Sequence, residues 1–343
     1  MKSTFATVLA VLALFATAGA QAQTLKIATI APEGSQWVKD MRDGARQIRE
    51  RTDSRVQMKI YAGGVMGADN KVLRKIRIGQ LHGAYFTATA LQDRYADVNV
   101  YGMPFLFRSE DEVRYVRERL DVRLTDGLRE AGFESFGFSG GGFARLMSNT
   151  PVSSLEDLTR QKVWVPEGDT ISYRAMEAMG LSPVTLPLTD VLTGLQSGLI
   201  DIIGSPPVAA LVLQWHTKVK YVTELPLVYT MGFLAIDRKA FGRLSPADRA
   251  VVADVLSAVS AKVDRDNRKD SGAALAALEN SGLTFVSPDP AAVEAWRARM
   301  LEANLDMASD GLVSEDLLDD VLALLAEYRA EASLASRDGT GAR

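Results

Sequence analysis

The apolar positions along the chain repeat with two different periods. Val56, Met58 and Ile60 alternate with polar residues, which is typical of a half-buried strand. After Ser35 the apolar residues recur every three to four positions, beginning at Trp37, which is typical of an amphipathic helix. Ser35 is the predicted N-cap of that helix because its hydroxyl can accept a hydrogen bond from a free backbone N–H.

The same patterns predict alternating strands and helices along the chain. The predicted strands are 25–30, 56–60, 83–87, 133–138, 162–165, 183–186, 200–203 and 228–236. The predicted helices are 37–48, 69–79, 109–131, 170–179, 189–197, 207–216 and 245–281. Strand–helix–strand order requires crossovers and therefore predicts an α/β fold with a parallel-rich sheet. The run Ser139 to Gly142 is expected to interrupt the strand that begins at Phe133.

The N-terminus has the features of a secretory signal peptide. Lys2 precedes an apolar run over 5–17, and Ala20-Gln21-Ala22 matches the A-x-A cleavage pattern. A membrane anchor needs about 20 apolar residues, and this run is shorter. We therefore predict a signal peptide over 1–22, cleavage near Ala22 and a periplasmic location.

The composition excludes several classes of site. The chain has no cysteine, so disulfides and thiolate metal sites are absent. Its net charge of −4 argues against nucleic acid as a partner. The two histidines, His82 and His216, are far apart in sequence, so we expect no metal site, and without a phosphate loop or dinucleotide fingerprint we expect no cofactor. The roughly 320 residues after the signal peptide are enough for two domains.

One motif fits an enzyme. Residues 137–141 match G-x-S-x-G, the turn that exposes the nucleophilic serine of many hydrolases. A Ser139 hydrolase would need His216 as its base, with Asp190 or Asp201 as the acid. The pattern of residues after Ser139 predicts an extended segment rather than a helix, so a hydrolase is the less favoured alternative.

Several segments in a fixed order resemble the DctP-type solute-binding proteins of tripartite ATP-independent periplasmic (TRAP) transporters. The segments are 60–67 (IYAGGVMG), 78–83 (IGQLHG), 103–107 (MPFLF), 155–158 (LEDL), 162–166 (KVWVP) and 192–201 (LTGLQSGLID). The resemblance runs from about Leu25 to Ala330. It implies a non-enzymatic binding protein that uses no cofactor and delivers its ligand to TRAP membrane subunits. A periplasmic sensor subunit with the same fold is an alternative.

The resemblance also implies a two-lobe periplasmic binding protein fold with hinge-crossing strands and a long bracing helix, matched by the predicted helix 245–281. We expect lobe I to comprise 23–142 plus 231–265, and lobe II to comprise 143–230 plus 266–335. The hinge segments are expected at 140–145 and 228–233, and 336–343 is expected to be a disordered tail.

The departures from the family pattern concern the ligand. Relatives that bind organic acids usually have arginine where Trp164 stands, and an asparagine of the family is replaced by Ser205. Thr87 and Ala90 occupy positions where acid-sugar binders have charged residues. Tryptophan cannot neutralise a carboxylate, and burying an unpaired carboxylate is costly.

These departures favour an apolar or amphipathic ligand. They resemble the subgroup that pairs with a periplasmic tetratricopeptide-repeat protein. The alternative is an ordinary small organic acid held by Arg145. The expected ligand-binding residues are Tyr85, Phe86, Thr87, Arg145, Trp164, Leu188 and Ser205.

Overall fold

The computed structural model describes residues 22–340, with side chains described as far as residue 334. Apart from Ala22, the predicted signal peptide therefore lies outside the described residues. The strands are β1 Gln23–Ala28, β2 Val56–Tyr61, β3 Gly83–Thr87, β4 Phe133–Ser148, β5 Trp164–Pro166, β6 Val184–Leu186, β7 Ile202–Ser205, β8 Tyr221–Thr223, β9 Val228–Asp237 and β10 Thr284–Val286. The helices are α1 Gln36–Arg51, α2 Asp69–Arg77, α3 Glu110–Glu130, α4 Leu155–Thr159, α5 Thr170–Ala178, α6 Val191–Ser197, α7 Pro207–Val212, α8 Arg238–Gly242, α9 Pro246–Asn280, α10 Pro290–Ser309 and α11 Glu315–Thr340.

Helix starts follow the capping residues of the sequence. The Ser35 hydroxyl accepts a hydrogen bond from the Val38 backbone N–H at 3.4 Å, so the predicted cap of α1 is confirmed. The long helix α9 begins the same way, with the Ser245 hydroxyl accepting from Asp248 N–H at 3.1 Å and Pro246 in the first turn. Both caps satisfy N–H groups that a helix leaves free at its first turn.

The sheet mixes parallel and antiparallel pairs. Strand β1 lies between β2 and β3 and pairs with both in parallel, as the crossover order predicts. Strand β9 then pairs antiparallel with β3, where Phe86 lies opposite Phe233, and with β4 on its other side. Strands β8 and β10 are parallel neighbours, and β5 and β6 form a separate two-stranded parallel pair.

Strand β4 is a single strand of 16 residues that belongs to two parts of the sheet. Its first part pairs with β9 as far as Ala144, and its last residues, from Arg145 onward, pair with β7 and β8. The predicted interruption at Ser139 to Gly142 is therefore wrong. These glycines stay in the strand because β9 pairs with them across a bulge between Gly140 and Gly142.

The bracing helix α9 contains 35 residues and contacts the glycine-rich part of β4 along one face. The Ser139 hydroxyl donates to the Ser260 carbonyl at 3.2 Å. Gly140 N–H donates to Asp264 at 2.8 Å, and the Asn267 amide donates to the Gly140 carbonyl at 2.9 Å. A long helix in contact with the crossing strand is thus observed, while the lobe boundaries and the hinge role of 140–145 and 228–233 stay predictions.

One further sequence prediction needs correction. The helix predicted over 207–216 ends at Val212, because Gln214 takes a left-handed conformation with a φ of 60° and starts a short 3₁₀ turn at Trp215. Helix α11 extends as far as Thr340, and the disorder expected for 336–343 stays a prediction.

Candidate functional site

A cleft with a volume of about 490 Å³ opens beside the strands that cross the molecule. One side is formed by the start of α1 and by β3, and the other by β5, β7 and α7. Gly141 of β4, the first residues of β9 and the Val263–Asp270 stretch of α9 form the remaining wall. The cleft is therefore built by the elements that the resemblance assigns to both lobes and to the hinge.

Two aromatic pairs line the cleft. The rings of Trp37 and Tyr85 meet edge to face with centroids 4.6 Å apart. Trp164 and Trp215 form a similar pair with centroids 5.5 Å apart. The break at Gln214 ends α7 and allows Trp215, which is 3% exposed, to pack against Trp164. Trp37 and Tyr85 are partly exposed, whereas Trp164 is 4% exposed, so the second pair forms a buried apolar wall of the cleft.

The indole N–H of Trp164 is already used within the protein. It donates to the Leu186 carbonyl oxygen of the neighbouring strand at 3.0 Å. Tryptophan has one donor and no acceptor, so Trp164 offers the cleft only its ring.

Among the side chains described, 22–334, the charged ones on the cleft wall are all acidic. Asp40, Asp169, Asp266 and Asp270 line it, and neither lysine nor arginine does. Lys262 does not line the cleft and pairs with two of these carboxylates, Asp40 at 2.9 Å and Asp266 at 2.6 Å. Asp169 caps α5 by accepting from Ser172 N–H at 2.9 Å. An anionic ligand would thus meet no cation on this wall.

A side chamber of about 130 Å³ adjoins the cleft and shares Thr87 and Leu188 with it. Asp69, at the start of α2, lines this chamber and accepts a weak hydrogen bond from the Thr87 hydroxyl at 3.4 Å. Burial raises the pKa of Asp69 to about 6, against a smaller opposing effect of that hydrogen bond.

Sequence reasoning missed two polar side chains at the site. Asn99 is 2% exposed and lines the cleft, and neither its amide nitrogen nor its oxygen has a hydrogen-bond partner. Gln92 lines the side chamber with its Oε1 buried and unpaired. Buried amides are normally paired, so both are candidates for ligand contacts. Neither lies in a sequence motif that would have identified it.

The structure brings together five of the seven residues expected at the site. Tyr85, Thr87, Trp164, Leu188 and Ser205 all line the cleft. Whether they contact the ligand stays a prediction.

Phe86 and Arg145 are not on the wall of the cleft. Successive side chains of a strand point to opposite faces, so Phe86 points away from Tyr85 and Thr87 into the core, where it contacts Phe133. Arg145 lies opposite Ser205 in the β4–β7 pair without lining the cleft. Burial lowers the pKa of its guanidinium, and Glu224 partly offsets this effect.

The G-x-S-x-G motif does not form a nucleophile turn. Ser139 is 1% exposed in the middle of β4, and its hydroxyl donates to the Ser260 carbonyl. The hydrolase reading is therefore wrong, because a nucleophilic serine must stand exposed between a strand and a helix.

The histidines form backbone hydrogen bonds. His82 accepts from Lys26 N–H at 3.0 Å, and the His216 ring lies 3.1 Å from the Ala210 carbonyl oxygen. Across the described part of the chain, no group of three or more His, Cys, Asp or Glu side chains could hold a metal ion. In the same part, no helix is both long enough and apolar enough to cross a membrane.

Comparison with known proteins identifies the family. The family described as bacterial extracellular solute-binding protein, family 7 (DctP) matches residues 27–310. The chain belongs to the DctP family. A solute-binding protein of Roseobacter denitrificans is 25% identical to this DctP protein over 314 residues, which cover 90% of this chain and 92% of the relative.

Solved structures of TRAP solute-binding proteins share the fold. A sugar acid binding protein from Advenella mimigardefordensis in complex with galactonate has a TM-score of 0.82 at 17% identity, covering 90% of this chain and 99% of that one. A protein from Sulfurospirillum deleyianum with bound succinate has a TM-score of 0.80 at 19% identity, covering 88% and 99%. This DctP protein therefore has the two-lobe fold of periplasmic binding proteins and is a transport protein rather than an enzyme.

Proposed function

We propose that this protein captures a small apolar or amphipathic molecule in the periplasm and delivers it to TRAP membrane subunits. The observation that carries the proposal is the cleft wall, which has aromatic pairs on it and, among the residues described, no lysine or arginine. The family supports the general role of a small-molecule carrier.

The argument for the ligand class is energetic. A carboxylate moved from water into this cleft loses several kcal/mol of hydration, and no cation on the described wall offsets that loss. Trp164 takes the position of the arginine expected in acid binders, and its N–H is bound to Leu186. Apolar surface buried against indole and phenol rings contributes about 25 cal/mol per Å² and needs no charge.

The bound acids of related structures favour the alternative ligand, a small organic acid. In this chain that reading depends on Arg145, whose guanidinium does not line the cleft. Acid binding would therefore require Arg145 to move when the lobes close. A tetratricopeptide-repeat partner stays a prediction from the sequence resemblance.

The direct experiment is native mass spectrometry of protein purified without refolding, followed by extraction and identification of the bound molecule. We expect a molecule with a sizeable apolar body. Calorimetric titration with succinate should show no tight binding.

A matched pair of variants tests the aromatic wall. Trp164→Leu should weaken binding of the extracted molecule at least about tenfold, because the indole face is lost. Trp296→Leu removes another buried tryptophan, which is 5% exposed and does not line the cleft, and should leave affinity within about twofold. Tight succinate binding that is unaffected by Trp164→Leu would refute the proposal.

A further inference from the structure

The side chamber holds a carboxylate without a cation. Among the described residues, Asp69 has no lysine or arginine within ion-pair distance, and its one side-chain hydrogen bond comes from Thr87 at 3.4 Å. The Thr87 hydroxyl is also 3.0 Å from the hydroxyl of Thr89, which lines the same chamber. A half-buried carboxylate of this kind is satisfied best by a hydrogen-bond donor that carries positive charge.

Gln92 adds a second unpaired acceptor. Its amide nitrogen donates to the Gly168 carbonyl and to the Thr170 hydroxyl, the latter at 3.2 Å. Those contacts fix the orientation of the amide, so the buried Oε1 is the atom left without a partner. The chamber therefore presents acceptors in need of donors.

The adjoining cleft also holds an unpaired buried group. Asn99 is 2% exposed, and both polar atoms of its amide lack partners. The cleft and the chamber share Ile30, Thr87, Thr89, Pro166 and Leu188 in their linings, so the two spaces adjoin.

We infer that the ligand ends in a positively charged amine, which Asp69 and Gln92 receive in the side chamber while the aromatic pairs hold its apolar body. This inference rests on the proposed function and adds the sign of the charge. An ammonium group has three donors and no acceptor, which matches the chamber.

The same charges disfavour an anionic end group. Asp93 and Glu167 line the chamber with Asp69, and neither lysine nor arginine is on its described wall. A ligand carboxylate would thus meet like charge and few donors, which costs affinity. The cleft should discriminate between molecules that differ only in their end group.

Three probes with one ring system and one chain length test the inference by calorimetric titration at pH 7.5. Tryptamine ends in an ammonium group, tryptophol in a hydroxyl group and indole-3-propionate in a carboxylate. We expect tryptamine to bind at least about tenfold more tightly than indole-3-propionate, with tryptophol between them. Asp69→Asn should weaken tryptamine binding about tenfold and change tryptophol binding less than about twofold.

If the Asp69→Asn variant still binds tryptophol, its cleft is intact. A loss confined to tryptamine binding then reports the loss of the Asp69 charge. The control is Asp306→Asn, which removes an exposed aspartate of α10 outside both spaces and should leave all three affinities unchanged.

Two results would overturn the inference: tryptamine that fails to bind or binds no better than indole-3-propionate, or tryptamine binding unchanged by Asp69→Asn. If tryptophol and indole-3-propionate still bind, the proposed apolar cargo survives. If none of the probes binds while succinate does, the proposed function fails as well.

Discussion

Gly140 and Asp264 join the crossing strand to the bracing helix through a hydrogen bond of 2.8 Å between the Gly140 N–H and the Asp264 carboxylate. The same oxygen accepts from Arg117 of α3 at 2.7 Å. The Asp264 side chain is 12% exposed, so one buried carboxylate connects three elements. Its removal should therefore affect the whole molecule.

Asp264→Asn should lower the free energy of unfolding by about 2 to 4 kcal/mol, because Arg117 loses a buried partner. Urea unfolding followed by circular dichroism measures this. Asp254→Asn breaks the exposed pair with Arg51, in which the aspartate is 68% exposed, and should cost less than about 1 kcal/mol. Equal losses in the two variants would mean that the connection contributes little to stability.

Gly140→Ala should destabilise the protein by about 1 to 3 kcal/mol through overpacking. An added Cβ would lie 1.9 Å from the Tyr229 hydroxyl oxygen, and Tyr229 is 1% exposed and cannot move freely. Gly272→Ala is the matched control. It lies in α9 with nothing within 4 Å of the added Cβ, so it should stabilise the protein by about 0.5 to 1 kcal/mol. Thermal unfolding of both variants measures these effects. A Gly140→Ala variant as stable as the original protein would contradict the predicted overpacking.

Asp69→Asn should stabilise the ligand-free protein at neutral pH. The pKa of Asp69 is raised from 3.8 to about 6, so the folded state binds this proton more tightly than the unfolded state does. The contribution of Asp69 to stability therefore falls as pH rises from about 4 to 6 and stays low above 6. The asparagine variant removes this cost of about 1 to 3 kcal/mol at pH 7.5 and little of it at pH 4. Urea unfolding at both pH values measures the change in the free energy of unfolding. An equal change at pH 4 and pH 7.5 would show that ionisation of Asp69 is not its cause.

Asn99→Leu should raise the free energy of unfolding by about 1 kcal/mol, because an apolar group of similar size replaces a buried amide without partners. Asn304→Leu is the contrasting change. Asn304 is equally buried, but its amide donates to the Pro104 carbonyl at 2.9 Å, so its loss should destabilise the protein by about 1 to 2 kcal/mol. Thermal unfolding without ligand distinguishes the two, and destabilisation by Asn99→Leu would contradict the absence of partners.

The sequence predicted most elements because their signals are local. Period-2 and period-3.6 patterns place β2 and α1 correctly, and Ser35 and Ser245 cap the predicted helices. The errors arise where distant contacts decide the structure. Ser139 to Gly142 read as an interruption because glycine disfavours strands, yet pairing with β9 and hydrogen bonds to Asp264 and Asn267 hold them in β4.

The sequence predicted the site residues whose signals are local and missed those whose role depends on distant contacts. Trp164 and Ser205 lie in segments that resemble the family, and both line the cleft. Tyr85 and Phe86 were both expected there, although strand alternation allows only one of two neighbours to face the cleft. Asn99 is important because it is buried without a hydrogen-bond partner, and Asp69 because it is buried without a cation. Both conditions depend on residues far away in sequence.

The path of β4 and β9 limits how this protein can be divided. Both strands carry the chain across the molecule, and each supplies hydrogen bonds along its whole length. A fragment cut at Gly142 would keep residues 133–142 of β4 and lose β9, which would leave the edge of β3 open for pairing with other chains. Expression of either half alone should therefore yield aggregates, and circular permutation should succeed only at breakpoints outside these two strands.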